Sequence, residues 1–329
     1  MIYKDFSCLY EMYDSYLVDV YGVLYDGASF WPSALDLLKK MKDSGRNVVI
    51  LSNTTMVSTV CEERYKQKGL VKGVHYNEFI SSGEAFKCTI ADSVPNASAY
   101  YQIFSKNMEI FADTNLVEVQ SAEDADFVYV GVVNGAGKTY TADDLQRHDG
   151  TLVPMDEITS TNCRDIRGLE EICKILETCL KHDKPLAVAN PDIFAHETVA
   201  TPTGYEKRLV LCQGAIGEFY ELMGGRVIYF GKPYQQIYNF AKKFLGSCER
   251  TAMIGDTLWT DILGGNAANV NTVLTLTGVT TEFFRTMDAG NTTEEKLSRL
   301  VSEIAPKMAH EALLKFSMTP TYVVESFAL

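Results

Sequence analysis

The sequence predicts an α/β protein: a doubly wound parallel sheet core with a second α/β domain inserted into it. Three observations carry this reading. Short, wholly apolar runs recur along the chain, each ending in small or acidic residues. Helical patterns lie between them. Two runs precede residue 55 and three follow residue 225, leaving a long middle segment. Strands apolar on both faces belong to parallel sheets covered by helices on each side.

In chain order, Tyr16-Leu17-Val18 is the first strand, running into Asp19 and then Val20-Tyr21-Gly22-Val23-Leu24. An amphipathic helix over Pro32 to Lys42 leads to Asn47-Val48-Val49-Ile50-Leu51, which ends at Ser52-Asn53-Thr54. The middle segment has its own strand-like runs, Phe127-Val128-Tyr129-Val130-Gly131 and Leu186-Ala187-Val188-Ala189, and a helix over Leu169 to Lys181. Its borders are expected near residues 83 and 223, so that 1–82 and 224–329 form the core domain and 83–223 the insertion. Arg226-Val227-Ile228-Tyr229-Phe230 is then the third core strand, ending at Gly231-Lys232-Pro233. Thr251-Ala252-Met253-Ile254 is the fourth, ending at Gly255-Asp256, and Thr272-Val273-Leu274-Thr275-Leu276 the fifth, closing at Gly278. Pro320-Thr321-Tyr322-Val323-Val324 offers a last strand returning to the main sheet.

Composition narrows the function classes. The 329 residues are 46% apolar, enough for two cores, and carry 43 acidic against 30 basic side chains, a formal charge of −13. That excess argues against a nucleic-acid partner, which needs a basic face, and against anionic membranes. No apolar run reaches the roughly 20 residues that cross a bilayer. The opening MIYKDFSCLYEMYDSY lacks the basic tip and apolar stretch of a secretory signal, so a cytoplasmic protein is expected. Eight cysteines without a CxxC pair or a neighbouring histidine read as small buried hydrophobes.

Four groups at separate strand ends carry the chemistry. Asp19 ends the first strand and Ser52 the second, with Asn53 and Thr54 beside it; Lys232 follows the third, and Asp256 and Asp261 frame the turn after the fourth. Ligands of open α/β sheets bind beyond the carboxyl ends of the strands. A carboxylate there can attack phosphorus, and paired carboxylates suit Mg²⁺. A hydroxyl and an ammonium can hold the phosphoryl oxygens and offset their charge. Any one of these is common punctuation; their order along the chain is not.

That order, Asp19-x-x-Gly22-Val23-Leu24, Ser52-Asn53, Lys232-Pro233 and Gly255-Asp256-x-x-x-x-Asp261, resembles the haloacid dehalogenase (HAD) superfamily of phosphatases. The long insertion between the second and third motifs resembles its class IIA, with a large α/β cap on a Rossmann-like core, the branch of nucleotide and phosphoglycolate-type phosphatases. Ala189-Asn190-Pro191-Asp192 is similar to a turn of that cap, and Gly214-Ala215-Ile216 to the helix leading back to the core. The resemblance implies a nucleophile at Asp19, which also binds Mg²⁺. It implies metal contacts from the Tyr21 carbonyl and Asp256, with Asp261 orienting that shell. Ser52 and Asn53 would hold the phosphoryl group, Asp192 would face the substrate, and Lys232 would neutralise both the phosphoryl group and Asp19. A small phosphorylated metabolite is the implied substrate, with the cap closing over it, and dimerisation through the cap is left open.

One position departs from the pattern. The superfamily's phosphatases usually carry a second Asp two residues after the nucleophile, as general acid and base; here that residue is Tyr21. Acid–base assistance is worth roughly 10²–10⁴-fold, so substrates with good leaving groups are expected. The competing reading is a catalytically weak relative that binds a phosphorylated ligand or partner, and transfer to another acceptor stays open. Asp26 lies near enough in sequence to be weighed as a substitute acid, with a plain turn residue as the alternative. Gly135-Ala136-Gly137-Lys138-Thr139 looks like the end of a P-loop, but position 132 is Val where that motif needs glycine. The five histidines are scattered, and Trp31 and Trp259 read as packing residues.

Overall fold

The computed structural model describes residues 2–104, 108–133, 170–201, 204–247 and 250–329. The chain divides into two compact units, one of Met1–Ser52, Ser58–Ser81 and Lys232–Leu329, the other of Asn53–Val57 and Ser82–Gly231.

The first unit is built on a parallel sheet of seven strands. Their spatial order is Ile2–Tyr3, Tyr322–Val324, Asn271–Thr275, Thr251–Gly255, Ser15–Val18, Asn47–Ser52 and Glu78–Ser81. The central strands are apolar throughout because both faces are covered: Val48, Val49, Ile50 and Leu51 have no solvent exposure, nor do Ala252, Met253 and Ile254. Helix Pro32–Asp43 shows the complementary pattern. Ala34, Leu37, Leu38 and Met41 form its buried stripe, proline sits in its first turn, and Lys40 and Lys42 occupy its last turn, where the helix dipole favours cations.

Strand order positions the site. From Ser15–Val18 the chain first adds strands on one side, then returns after residue 232 to fill the other with Thr251–Gly255. The order therefore reverses beside Ser15–Val18, and a crevice opens there beyond the carboxyl ends of the strands. Leu17 pairs with Met253 and with Val49, so all three strands finish at the same level.

The second unit has its own parallel sheet, ordered Val227–Tyr229, Leu186–Val188, Phe127–Val130, Ala99–Ile103 and Val117–Glu118. A separate antiparallel hairpin joins Phe194–Thr201 to Gly204–Leu211. This corrects one strand assignment made from sequence. Val227–Tyr229, read as a strand of the main sheet, pairs with Leu186–Val188 instead. Three apolar residues satisfy any parallel strand buried on both faces, so the sequence pattern cannot say which sheet receives them. Residues 224–231 thus lie in the second unit, which ends at Gly231, and Asn53–Val57 belongs to it as well.

Six described strands were not anticipated: Ile2–Tyr3, Glu78–Ser81, Ala99–Ile103, Val117–Glu118 and the two hairpin strands Phe194–Thr201 and Gly204–Leu211. No helix among the described residues is long and apolar enough to cross a membrane. The P-loop-like segment Gly135–Thr139, His148, Cys163 and Cys248 lie outside the described residues. Of the described cysteines, Cys61, Cys179 and Cys212 are buried, Cys173 is half-buried, and Cys8 and Cys88 are exposed, so the expectation of buried hydrophobes holds for part of the set.

Candidate active site

Asp19 is the first residue beyond Ser15–Val18, and its backbone N–H donates to the Ile254 carbonyl at 2.9 Å, which stitches it to the neighbouring strand. Asp256 is the first residue beyond Thr251–Gly255. Two parallel neighbours thus deliver two carboxylates to one end of the sheet. Asp261 comes from a single π-helical turn, Leu258–Ile262, which folds back on the strand end. The Asp261 N–H donates to the Thr257 carbonyl at 3.0 Å, and the Thr257 N–H donates to Asp261 Oδ2 at 3.1 Å. Glycine at 255 makes this fold-back feasible, since a Cβ there would stand 2.1 Å from Asp261 Cγ. Turns of this wider type recur at functional sites.

The three carboxylates converge, with one ligand oxygen from each of Asp19, Asp256 and Asp261 lying within 4.8 Å of the others. Lys232 joins them as the first residue of the chain's return to this unit. Its Nζ lies 2.5 Å from Asp19 Oδ1 and 2.8 Å from Asp261 Oδ1, and donates to the Leu51 carbonyl at 3.0 Å. All four side chains are buried.

Asp256 is held on every side. Its Oδ1 accepts from the Thr257 hydroxyl at 2.9 Å and its Oδ2 from the Val279 N–H at 2.7 Å. The Thr280 hydroxyl donates to the Asp256 carbonyl at 2.6 Å. Gly22 and Gly278, with φ of +79° and +49°, flank the carboxylate, and a Cβ on either would fall within 2.0 Å of Oδ2. Only glycine fits both the backbone and the space.

Electrostatics follow from burial. Desolvation pushes the Asp19 carboxyl up to about 7; Lys232 opposes the rise and Asp261 adds to it. Asp256 is raised well above the usual range by burial and by repulsion from Asp261 and Asp19, against the donors from Val279 and Thr257. Burial alone would lower the Lys232 ammonium, but Asp19 and Asp261 outweigh it and hold the group above the ordinary lysine range. Three buried carboxylates therefore face one ammonium. Such an imbalance is costly unless another cation shares it, and clustered carboxylate oxygens are the donors a hard divalent ion takes. The residues fit a divalent metal.

Tyr21 sits in the turn closed by the Gly22 N–H donating to the Tyr25 carbonyl at 2.9 Å. Its side chain is 44% exposed and packs edge-on against Tyr25, with ring centroids 5.2 Å apart. The buried Tyr65 hydroxyl is raised by burial, and its hydrogen bond to Tyr21 adds to the shift. Ser52 is buried at the end of the strand beside Ser15–Val18 and pairs in register with Ser81. The structure thus gathers Asp19, Lys232, Asp256 and Asp261 around one point.

Asn53 and Asp192 are joined to each other. Both belong to the second unit, where Asn53 Nδ2 donates to Asp192 Oδ1 at 2.9 Å. Asp192 is itself fixed by its N–H, which donates to Asn190 Oδ1 at 2.9 Å, closing the Asn190-Pro191-Asp192 turn. Asp26 settles as a turn residue: its Oδ1 accepts from the Ala28 and Ser29 N–H groups, each at 2.8 Å. Trp259 packs edge-on against Phe283, with centroids 5.5 Å apart. The sequence reading missed Thr257, Thr277, Gly278 and Val279. The available signal was the polar, glycine-ended stretch Thr275-Leu276-Thr277-Gly278 after the fifth strand.

Comparisons with known proteins agree with this geometry. Two models of haloacid dehalogenase-like hydrolases match residues 16–116 and 166–269, and a HAD-hydrolase-like model matches residues 229–328. The chain is 26% identical to phosphoglycolate phosphatase 2 of Arabidopsis thaliana, over 93% of this chain and 96% of that protein. In fold it is similar to a haloacid dehalogenase-like hydrolase from Brucella suis 1330, with a TM-score of 0.65, 18% identity and 99% of each chain covered. A p-nitrophenyl phosphatase from Archaeoglobus fulgidus gives a TM-score of 0.63 at 23% identity, over 95% of this chain and 96% of that one. With the carboxylate cluster beyond a parallel sheet and family matches that together span residues 16–116 and 166–328, the chain belongs to the haloacid dehalogenase-like hydrolases.

Proposed function

We propose that the chain is a Mg²⁺-dependent phosphohydrolase that passes the phosphoryl group of a small metabolite through Asp19 to water. The convergence of Asp19, Asp256 and Asp261 on one point, with Lys232 bridging two of them, carries the reading. Asp19 attacks phosphorus as a carboxylate, so an Asp19 O–P bond forms while the bond from phosphorus to the leaving oxygen breaks. Lys232 stays protonated and opposes the rise that burial imposes on Asp19, which favours the carboxylate form. Ser52 offers a hydroxyl to the phosphoryl group, and Asn53 with Asp192 offers an amide and a carboxylate for substrate contact. Asp19, Asp256, Asp261 and the Tyr21 carbonyl would hold the ion. When bound, it supplies the positive charge that offsets the carboxylates and the phosphoryl oxygens. Water then cleaves the aspartyl phosphate and regenerates Asp19.

The leaving oxygen meets no carboxylic acid at position 21. A phenol with an ordinary pKa of about 10 activates water poorly near neutrality, so aryl, acyl and pyrophosphate leaving groups are favoured over simple alcohols. The names of the relatives, phosphoglycolate and p-nitrophenyl phosphatases, support small substrates. The test uses p-nitrophenyl phosphate, with release of phosphate measured in Mg²⁺ and in EDTA. Release is expected in Mg²⁺ alone and to fall at least 10³-fold in Asp19→Asn. Tyr21 also favours a second reading, a binding protein with little turnover; tight binding of a phosphorylated ligand without release would select it.

A further inference from the structure

The segment after the strand Asn271–Thr275 touches the site at several points, none of which the proposed chemistry uses. The Thr277 hydroxyl donates to the Gly22 carbonyl in a short hydrogen bond and lies 2.9 Å from the Thr275 hydroxyl. Thr275 in turn lies 3.3 Å from the Gly255 carbonyl, at the end of the strand that carries Asp256. One residue further on, Gly278 presses its backbone against Gly22, where a Cβ would approach the Gly22 Cα to 2.6 Å. Val279 and Thr280 then grip Asp256 through its carboxylate and its carbonyl, at 2.7 and 2.6 Å.

We infer that Thr277 is a positioning residue for the metal site. It ties the turn after Asp19 to the segment after Asn271–Thr275, whose Val279 and Thr280 hold Asp256, and so sets the spacing between the oxygens that receive the ion. The inference rests on the reading of this site as a divalent-metal site. Gly22 directly follows Tyr21, so a tether on the Gly22 carbonyl fixes the peptide plane next to the Tyr21 carbonyl, because a peptide unit moves as one rigid plane. The three carboxylates have independent restraints: Lys232 bridges Asp19 and Asp261, and Thr257 and Val279 hold Asp256. The Thr277 hydrogen bond is a side-chain link from the segment that holds Asp256 to the turn after Asp19. Groups that orient metal ligands typically contribute 10–100-fold in metal affinity.

The test measures Mg²⁺ and Mn²⁺ binding directly by calorimetry, together with the Mg²⁺ dependence of p-nitrophenyl phosphate hydrolysis. Thr277→Val keeps the shape and removes the hydroxyl. It is expected to weaken metal binding about tenfold, and to raise the Mg²⁺ needed for half-maximal rate by the same factor. The rate at saturating Mg²⁺ should stay near wild type. Thr277→Ser restores the donor and should restore affinity. Thr281→Val is the control, because its hydroxyl donates to the Leu276 carbonyl, away from Gly22 and Asp256; its affinity should not change. If Thr277→Val does not fold, Thr275→Val removes the hydroxyl behind Thr277 and is read the same way. Unchanged metal affinity in the valine variant, or a serine variant as weak as the valine one, overturns the inference. Absence of metal binding in the unaltered protein would instead overturn the function on which it rests.

Discussion

Removing the Asp19 charge should stabilise the metal-free protein while abolishing its chemistry. Burial pushes this carboxyl from an ordinary 3.8 to about 7. At about 1.4 kcal/mol for each tenfold change in proton affinity, keeping Asp19 ionised in the folded state costs about 4 kcal/mol. Asp19→Asn relieves most of that cost, since the opposing pull of Lys232 is already contained in the value of about 7. Lys232 retains Asp261 at 2.8 Å, so its ammonium is not abandoned. The net gain is about 2–4 kcal/mol at pH 8. The sign follows from the folded pKa lying above the unfolded one: stability is greatest below 3.8 and is lost as pH rises through about 7. The advantage of the asparagine variant should therefore shrink to less than half by pH 5. Thermal denaturation in EDTA at pH 5 and pH 8 reads this directly, with a Tm raised by about 2–8 °C at pH 8. A variant less stable than wild type at pH 8, or a difference independent of pH, refutes the electrostatic account.

Two further outcomes follow from the same geometry. Gly255→Ala drives a Cβ to 2.1 Å from Asp261 Cγ, so it should cost about 3 kcal/mol or displace Asp261 and lose metal binding; a wild-type urea midpoint with wild-type calorimetry would contradict this. Tyr21→Asp should raise hydrolysis of glycerol phosphate by about 10²-fold and that of p-nitrophenyl phosphate far less; equal gains on both esters in a steady-state assay would remove Tyr21 from the explanation.

The central strands and their terminal carboxylates were legible because two independent patterns coincide there. Val48 to Leu51 must be apolar to sit inside a covered sheet, and Asp19 and Asp256 interrupt such runs at their carboxyl ends. What sequence could not supply was the partner of each strand. Val227–Tyr229 has the same composition as a main-sheet strand yet joins Leu186–Val188, so the border expected at 223 falls short of Gly231. Glu78–Ser81 escaped notice for a different reason: it runs directly into helix Ser82–Ser93 with no turn between them, and Gly83 falls inside the helix instead of marking the strand's end. The role of Thr277 depends on a positive φ at Gly278 and on the approach of Gly22, 256 positions away in the chain. Asn53 and Asp192 were read as separate substrate contacts, and only the coordinates reveal that their side chains are bonded to each other.

The short stretch Asn53–Val57 has a practical bearing on protein engineering. It groups with Ser82–Gly231, and Asn53 grips Asp192 across 139 positions of sequence. At the far end, Gly231 leans on the same turn, where any Cβ would meet Pro191 Cδ at 2.4 Å and Asn53 Oδ1 at 2.6 Å. A chimera that exchanged only residues 83–223 would inherit mismatched halves of this joint. Grafting the module intact calls for four junctions, one on each flank of Asn53–Val57 and one on each flank of Ser82–Gly231, so that the donor brings its own clasp.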